Sequence, residues 1–264
     1  MNFPIGIFDS GVGGLTVLRE IQKILPHEDI LYLGDTARVP YGTRSPETIL
    51  QYTLQAASFL IQQKIKLLIL ACHTACSHAL TTLQLQLPIP VVGVIQSNLS
   101  QLKTFSPKQG IAILGTTGTI HSRLYQKLLH ETFPSLPLYP VACPLFVPII
   151  EEGLAHHPAT HLIAEHYLQH LRAQPIDAAL LACTHYPLLR PILQKVIGEH
   201  VTLIEPAVAE EVRTILMRQG NLQPISHTAR LQFCSTDDPE KFEKLARLFF
   251  HLPIENAKKI QLLS

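Results

Sequence analysis

The sequence predicts an α/β fold of two similar, doubly wound halves, with mainly parallel sheets facing each other across a central cleft. Three observations carry this expectation. Short, continuously apolar runs alternate with helix-period segments along most of the chain, as strands covered on both faces by helices require. A faint repeat relates two stretches: Ile5-Gly-Ile-Phe-Asp-Ser-Gly resembles Ile111-Ala-Ile-Leu-Gly-Thr-Thr, 106 residues on, and Leu70-Ala71-Cys72 resembles Leu181-Ala182-Cys183, 111 residues on. Similar offsets at two places suggest a duplicated unit. Finally, 264 residues that are 47% hydrophobic are enough to bury a large core, in one large domain or two smaller ones.

Taken in order, the apolar runs Ile5 to Phe8, Ile30 to Leu33, Leu67 to Ala71, Val91 to Ile95, Ile111 to Leu114 and Ala178 to Ala182 read as buried strands. Between the second and third lies a helix from Pro46 to Gln63, with an apolar stripe of Leu50, Leu54, Ala57 and Leu60/Ile61. Ser45 suits its N-cap, Pro46 its first turn, and Glu47 the positive end of its dipole. Pro187 opens a further helix that Gly198 closes. The polar segment Gln96 to Gln109 reads as one crossing between halves, and the region near Glu205-Pro206 as the return. This gives a first unit of 1–96 plus 208–264 and a second of 97–207.

Composition excludes several classes. Lys plus Arg (21) nearly balances Asp plus Glu (20), for a net charge of +1, so a nucleic-acid stripe is not expected. Residues 67–102 and 132–150 carry no Asp, Glu, Lys or Arg, but prolines and polar residues interrupt both. Neither is a bilayer span, and the first residues lack a basic, then apolar, leader. Five cysteines cannot all pair within the chain. The expectation is a cytoplasmic protein with reduced thiols.

Ligands of open α/β sheets bind beyond the carboxyl ends of the strands. The residues just after the apolar runs are Asp9 and Ser10, Asp35, Cys72 to Thr74, Thr116 to Thr119, and Cys183 to His185. Cys72 and Cys183 each follow Leu-Ala and precede a helix, whose N-terminus favours thiolate. Two thiols facing one cleft can take a proton from one face of a carbon and return one to the other. Both also suit the role of small buried apolar groups. The spacing of Cys72, His73 and Cys76, or of Cys183 and His185, fits no zinc finger or ribbon, so no metal is expected. Asp9-Ser10-Gly11-Val12-Gly13-Gly14 lacks the Lys of a phosphate loop and the glycine spacing of a dinucleotide loop. Its N–H groups suit a carboxylate, with Asp9 beside an ammonium or a cysteine; Asp9 as a simple helix cap is the alternative. His185 suits proton relay or support of a thiolate. His27, His156, His157, His161, His166 and His170 read as surface residues. Of the adjacent Glu151 and Glu152, at most one is expected to serve a site. Cys76, Cys143 and Cys234 read as packing residues.

The strings Phe8-Asp9-Ser10-Gly11-Val12-Gly13-Gly14-Leu15, Tyr32-Leu33-Gly34-Asp35, Pro40-Tyr41-Gly42, Ala71-Cys72-His73-Thr74-Ala75, Cys143-Pro144 through Glu151, and Ala182-Cys183-Thr184-His185-Tyr186-Pro187-Leu188-Leu189 together resemble the glutamate racemase family, within the aspartate/glutamate racemase superfamily. The resemblance runs from residue 5 to about 210. It implies a cofactor-independent enzyme that interconverts L- and D-glutamate and supplies D-glutamate for peptidoglycan. By the same resemblance, Cys72 deprotonates D-glutamate and Cys183 deprotonates L-glutamate. Asp9 and His185 assist their respective thiols, and Glu151 supports His185. Asp9, Ser10, Tyr41, Gly42, His73, Thr74, Thr184 and His185, with Thr117 and Thr119, hold the substrate. One departure stands out: the family usually has Asn after the first cysteine, and this chain has His73. An aspartate or other amino-acid racemase, or a non-catalytic binding or regulatory relative, shares the fold and remains an alternative. A homodimer is compatible with the sequence but not specified by it.

Overall fold

The computed structural model describes residues 3–251 and 254–262. Met1 and Asn2, part of the stretch read for a leader, lie outside them. The first run forms β1 (Ile5–Asp9), followed by α1 (Leu15–Ile24), β2 (Ile30–Gly34), α2 (Pro46–Gln62), β3 (Leu67–Leu70), α3 (His73–Gln86) and β4 (Val91–Gly93). Every residue of these four strands is buried, which is why they read as unbroken apolar runs rather than alternating ones. Ser45 caps α2 as expected, its Oγ accepting from the Thr48 N–H at 3.3 Å. The buried ridge of α2 is displaced from the expected stripe. Ile49, Thr53, Ala56, Ala57 and Leu60 are buried, while Leu50 and Leu54 are half-buried. Thr53 tolerates the core because its hydroxyl donates to the Ile49 carbonyl at 2.7 Å.

The run Val91 to Ile95 splits at Gly93. Val94 and Ile95 open α4 (Val94–Phe105), so the segment expected as a polar crossing is a helix. Apolar residues alone do not separate a buried strand from the first turn of a buried helix. The chain continues through β5 (Ile111–Gly115), α5 (Thr117–His121), α6 (Leu124–Thr132), β6 (Leu138–Ala142), α7 (Phe146–Glu151) and α8 (Pro158–Leu168). Then follow β7 (Ala178–Ala182), α9 (Arg190–Ile197) and β8 (Thr202–Ile204). A 3₁₀ turn, Tyr186–Leu189, precedes α9, and Gly198 ends it at φ +121°. No continuous apolar run marks β6 in the sequence. It is an edge strand containing Pro140, and an edge is where a residue without an N–H is tolerated.

After β8 the chain returns through α10 (Ala209–Arg218), β9 (Leu231–Ser235), α11 (Pro239–Phe250) and the short β10 (Lys258–Lys259). The strand orders are β10-β9-β2-β1-β3-β4 and β6-β5-β7-β8, with every pair parallel. The order β2-β1-β3-β4 therefore matches β6-β5-β7-β8. The repeat seen in the sequence corresponds to β1 with β5, and β3 with β7. No described helix is long and apolar enough to cross a membrane.

Candidate active site

The carboxyl ends of β1, β3, β5 and β7 carry the reactive residues, and polar contacts join the two sheets there. Thr184, after β7, donates to Asp9 Oδ2, after β1, at 3.0 Å. The Val12 N–H donates to Glu151 Oε1 at 3.2 Å. The hydroxyls of Thr74, Thr116 and Thr119 form a triangle with sides of 2.8 to 3.1 Å. The glycines of the first loop are required by this approach. A Cβ on Gly13 would lie 2.6 Å from Thr184 Oγ1 and against the His185 ring, and one on Gly11 would strike the Glu151 carboxylate. The loop N–H groups do meet carboxylates, and these are the protein's own: Gly11 donates to Asp9 Oδ1 at 2.9 Å, and Val12 to Glu151. Asp9 is not a helix cap, because α1 starts after Gly14 without a side-chain cap.

Cys72 is the N-cap of α3 and is 5% exposed. Its thiol donates toward Ser10 Oγ at 3.5 Å. Burial pushes this thiol up to about 12, with the Asp9 charge adding to it; the Ala75 N–H of the helix N-terminus and Ser10 oppose the rise, and Cys183 adds to it. The helix terminus thus favours thiolate as expected, but desolvation is the larger effect. Asp9 is fully buried. Desolvation raises its carboxyl above the ordinary range, against the His185 charge and the donors Gly11, Thr184 and Gly14.

The opposite wall is built differently. Cys183, 6% exposed, lies 3.9 Å from His185 Nδ1, and His185 Nε2 lies 2.7 Å from Glu151 Oε1. Burial alone would pull His185 down. The bonds to Cys183 and Glu151 and the charges of both outweigh it and hold the imidazole well above its usual range. Burial likewise pushes Glu151 up, but the His185 bond and charge, the Val12 N–H and the Lys241 charge hold it below the ordinary carboxylate range. A cationic imidazole therefore bridges a thiol and a carboxylate. Glu152 is exposed and pairs with Lys241 at 2.9 Å.

The remaining candidates divide. Ser10, Thr74, Thr119 and Thr184 are buried among the residues above. Tyr41 is buried too, but its hydroxyl donates to Asp35, so it is not a free donor. Asp35 also binds Arg38 Nε at 2.6 Å and the Thr236 hydroxyl at 2.7 Å, which fixes the 35–42 loop. Gly42 abuts Thr116, leaving no room for a side chain. Thr117 does not join the threonine triangle. It lines a neighbouring cavity of about 350 Å³ with Thr43, Arg44 and His78. Thr116 takes its place, a residue the sequence left unassigned because the hydroxyls of Gly-Thr-Thr-Gly-Thr are equivalent until the helix start is known. His73 is fully enclosed, with Nδ1 2.8 Å from the Tyr125 hydroxyl. Nothing in the sequence marked Tyr125 or its partner Asn98. Cys76 and Cys143 point at backbone carbonyls, and all five thiols are free.

Facing parallel sheets with a thiol on each wall agree with the relationships of the chain. The sequence profile of the Asp/Glu/Hydantoin racemase family matches residues 5–210, and the chain belongs to that family. The glutamate racemase of Geobacter metallireducens is 46% identical over 247 residues, 93% of this chain and 92% of its own. A glutamate racemase isoform from Bacillus anthracis superposes with a TM-score of 0.92 at 37% identity, over 98% of each chain. The enzyme from Francisella tularensis, solved with D-glutamate, gives 0.91 at 35% identity, over 99% of this chain and 98% of its own. Within the family the chain is therefore an amino-acid racemase of the glutamate racemase group.

Proposed function

We propose that the chain interconverts L- and D-glutamate through two thiol bases, Cys72 and Cys183, and so supplies D-glutamate for peptidoglycan. The observation that carries this reading is the pair of thiols at equivalent strand ends, after β3 and β7, each with its own buried assistant. The proposed first unit comprises residues 1–96 and 208–264, and the second 97–207; they open to exchange substrate and close for chemistry.

The α-proton of L-glutamate passes to the Cys183 thiolate, which the His185 cation supports. The Cys72 thiol delivers its own proton to the opposite face of the carbon. The cycle leaves Cys183 protonated and Cys72 ionised, the state that accepts D-glutamate. Asp9 assists Cys72, and Glu151 maintains the charge on His185. Burial holds Cys72 protonated at rest, which suits its role as the acid in this direction; the substrate ammonium then favours the thiolate it becomes. Fixed donors at the α-carboxylate stabilise the carbanion where charge develops. Ser10, His73, Thr74, Thr119 and Thr184 offer side-chain donors, and the Tyr41-Gly42 turn offers backbone N–H groups. The ligand set leaves out Thr117. The chemistry requires no cofactor. The near-neutral charge supports action without direct contact to nucleic acid, the free thiols suit the reducing cytoplasm, and a homodimer is the assembly to test by sedimentation.

Circular dichroism tests the reading directly. Either glutamate enantiomer should racemise, with solvent deuterium entering the inverted product in D₂O. Cys72→Ala and Cys183→Ala should each lose about 10³-fold or more in turnover while keeping the fold. Turnover of aspartate but not glutamate, or near-normal turnover in either variant, would overturn it.

A further inference from the structure

We propose that Asn98 and Tyr125 are positioning residues that lock the His73 ring in the tautomer protonated on Nε2, making that N–H a donor to a substrate carboxylate oxygen. The inference rests on the reading of the cleft given above. It starts from a chain of three side chains on three helices. Asn98, on α4, donates from Nδ2 to the Tyr125 hydroxyl, on α6, at 3.0 Å. A phenol oxygen that receives a proton from one side has its own proton to give on the other. The available acceptor is His73 Nδ1, at 2.8 Å. With Nδ1 accepting, the ring proton sits on Nε2.

That second nitrogen is buried and has no partner. Leaving a buried donor unmet carries the full desolvation cost of the group, a cost that a ligand atom would offset. His73 is the first residue of α3, between Cys72 and Thr74, and the proposed place of the ligand carboxylate is at its unpartnered Nε2. The ring is also kept from turning, stacked on Tyr125 with centroids 6.0 Å apart and planes 29° apart. Burial pushes the imidazole down to about 3, so the donor is neutral. An asparagine at this position carries its own donor on an amide and needs no outside proton source. A histidine is a donor at a chosen nitrogen only when something else fixes its tautomer.

The test reads the tautomer and the binding separately. Long-range ¹H–¹⁵N spectra of histidine-labelled protein should show His73 protonated on Nε2, and Tyr125→Phe should abolish that preference. In kinetics, Tyr125→Phe should raise the glutamate KM about tenfold with kcat changed less than about threefold. In a His73→Asn background the same change should shift KM less than about twofold. A proton on Nδ1 in the unsubstituted protein, or an equal KM effect in both backgrounds, would overturn the proposal. An unsubstituted protein that shows the expected tautomer but no glutamate turnover would reject the racemase reading instead.

Discussion

Glu151 and His185 meet at 2.7 Å in surroundings that exclude almost all water, their side chains 10% and 2% exposed. Their linkage to pH follows from the direction of each shift. His185 is raised in the folded protein, so its contribution is complete below its ordinary value of 6.5 and is lost as pH rises through the folded value. Glu151 is lowered, so its contribution is present above 4.5 and is lost as pH falls through the folded value. The pair therefore stabilises fully between these two values. His185→Gln should lower stability by roughly 3 kcal/mol in that window, and the difference from the unsubstituted protein should shrink at alkaline pH. Thermal melts across pH check this, and a pH-independent difference would refute it. At this scale the sequence exposed Cys72, Cys183, Asp9 and His185, because each directly follows an apolar run. Asn98 and Tyr125 carry no such mark and reach the site only through the packing of α4 and α6; Thr116 does follow an apolar run, and only the start of α5 separates it from Thr117.

Among the elements, the glycine loop between β1 and α1 shows how a local motif depends on a distant one. Gly13 is small because Thr184 and His185, some 170 residues away in the chain, press against it. Gly13→Ala should leave the far-UV circular dichroism intact and lower kcat/KM about 100-fold, since a shift of about 1 Å in a reacting group costs that much. Gly220 is the contrast. It has φ +65° with open space around it, so Gly220→Ala should cost about 1 kcal/mol of stability through backbone strain and leave kcat/KM unchanged. Equal activity loss in the two variants would show that neither effect is local to the site. Helix α2 was legible because its cap, its proline and its first-turn acid all lie in consecutive residues. Strand β6 was not, because Pro140 is a strand breaker everywhere except on an edge, and being an edge is a property of the sheet.

Over the whole molecule, the candidate bases are nearly sealed, Cys72 at 5% and Cys183 at 6% exposure, and the proposed cycle therefore requires the two walls to separate for substrate entry. A substrate gripped by both walls should stabilise the closed arrangement. Glutamate at about 100 times its Kd should add roughly 2.7 kcal/mol, a rise of several degrees in Tm for a chain of this size. Calorimetry with and without D-glutamate measures it. Two separate transitions of which glutamate raises only one would mean that the substrate does not bridge the walls.

The sequence by itself marked the strands β1, β3, β5 and β7, the faint repeat that relates them, and the residues standing at their ends. These are local consequences: buried parallel strands must be continuously apolar, and ligand-facing residues must follow them. The tertiary structure decided which of those residues meet. Only the approach of the sheets sets Thr184 on Asp9 and the Val12 N–H on Glu151. The same approach lets burial outweigh a helix terminus at Cys72. Desolvation and contact between residues far apart in the chain are properties of the packed interior, and no window of sequence contains them.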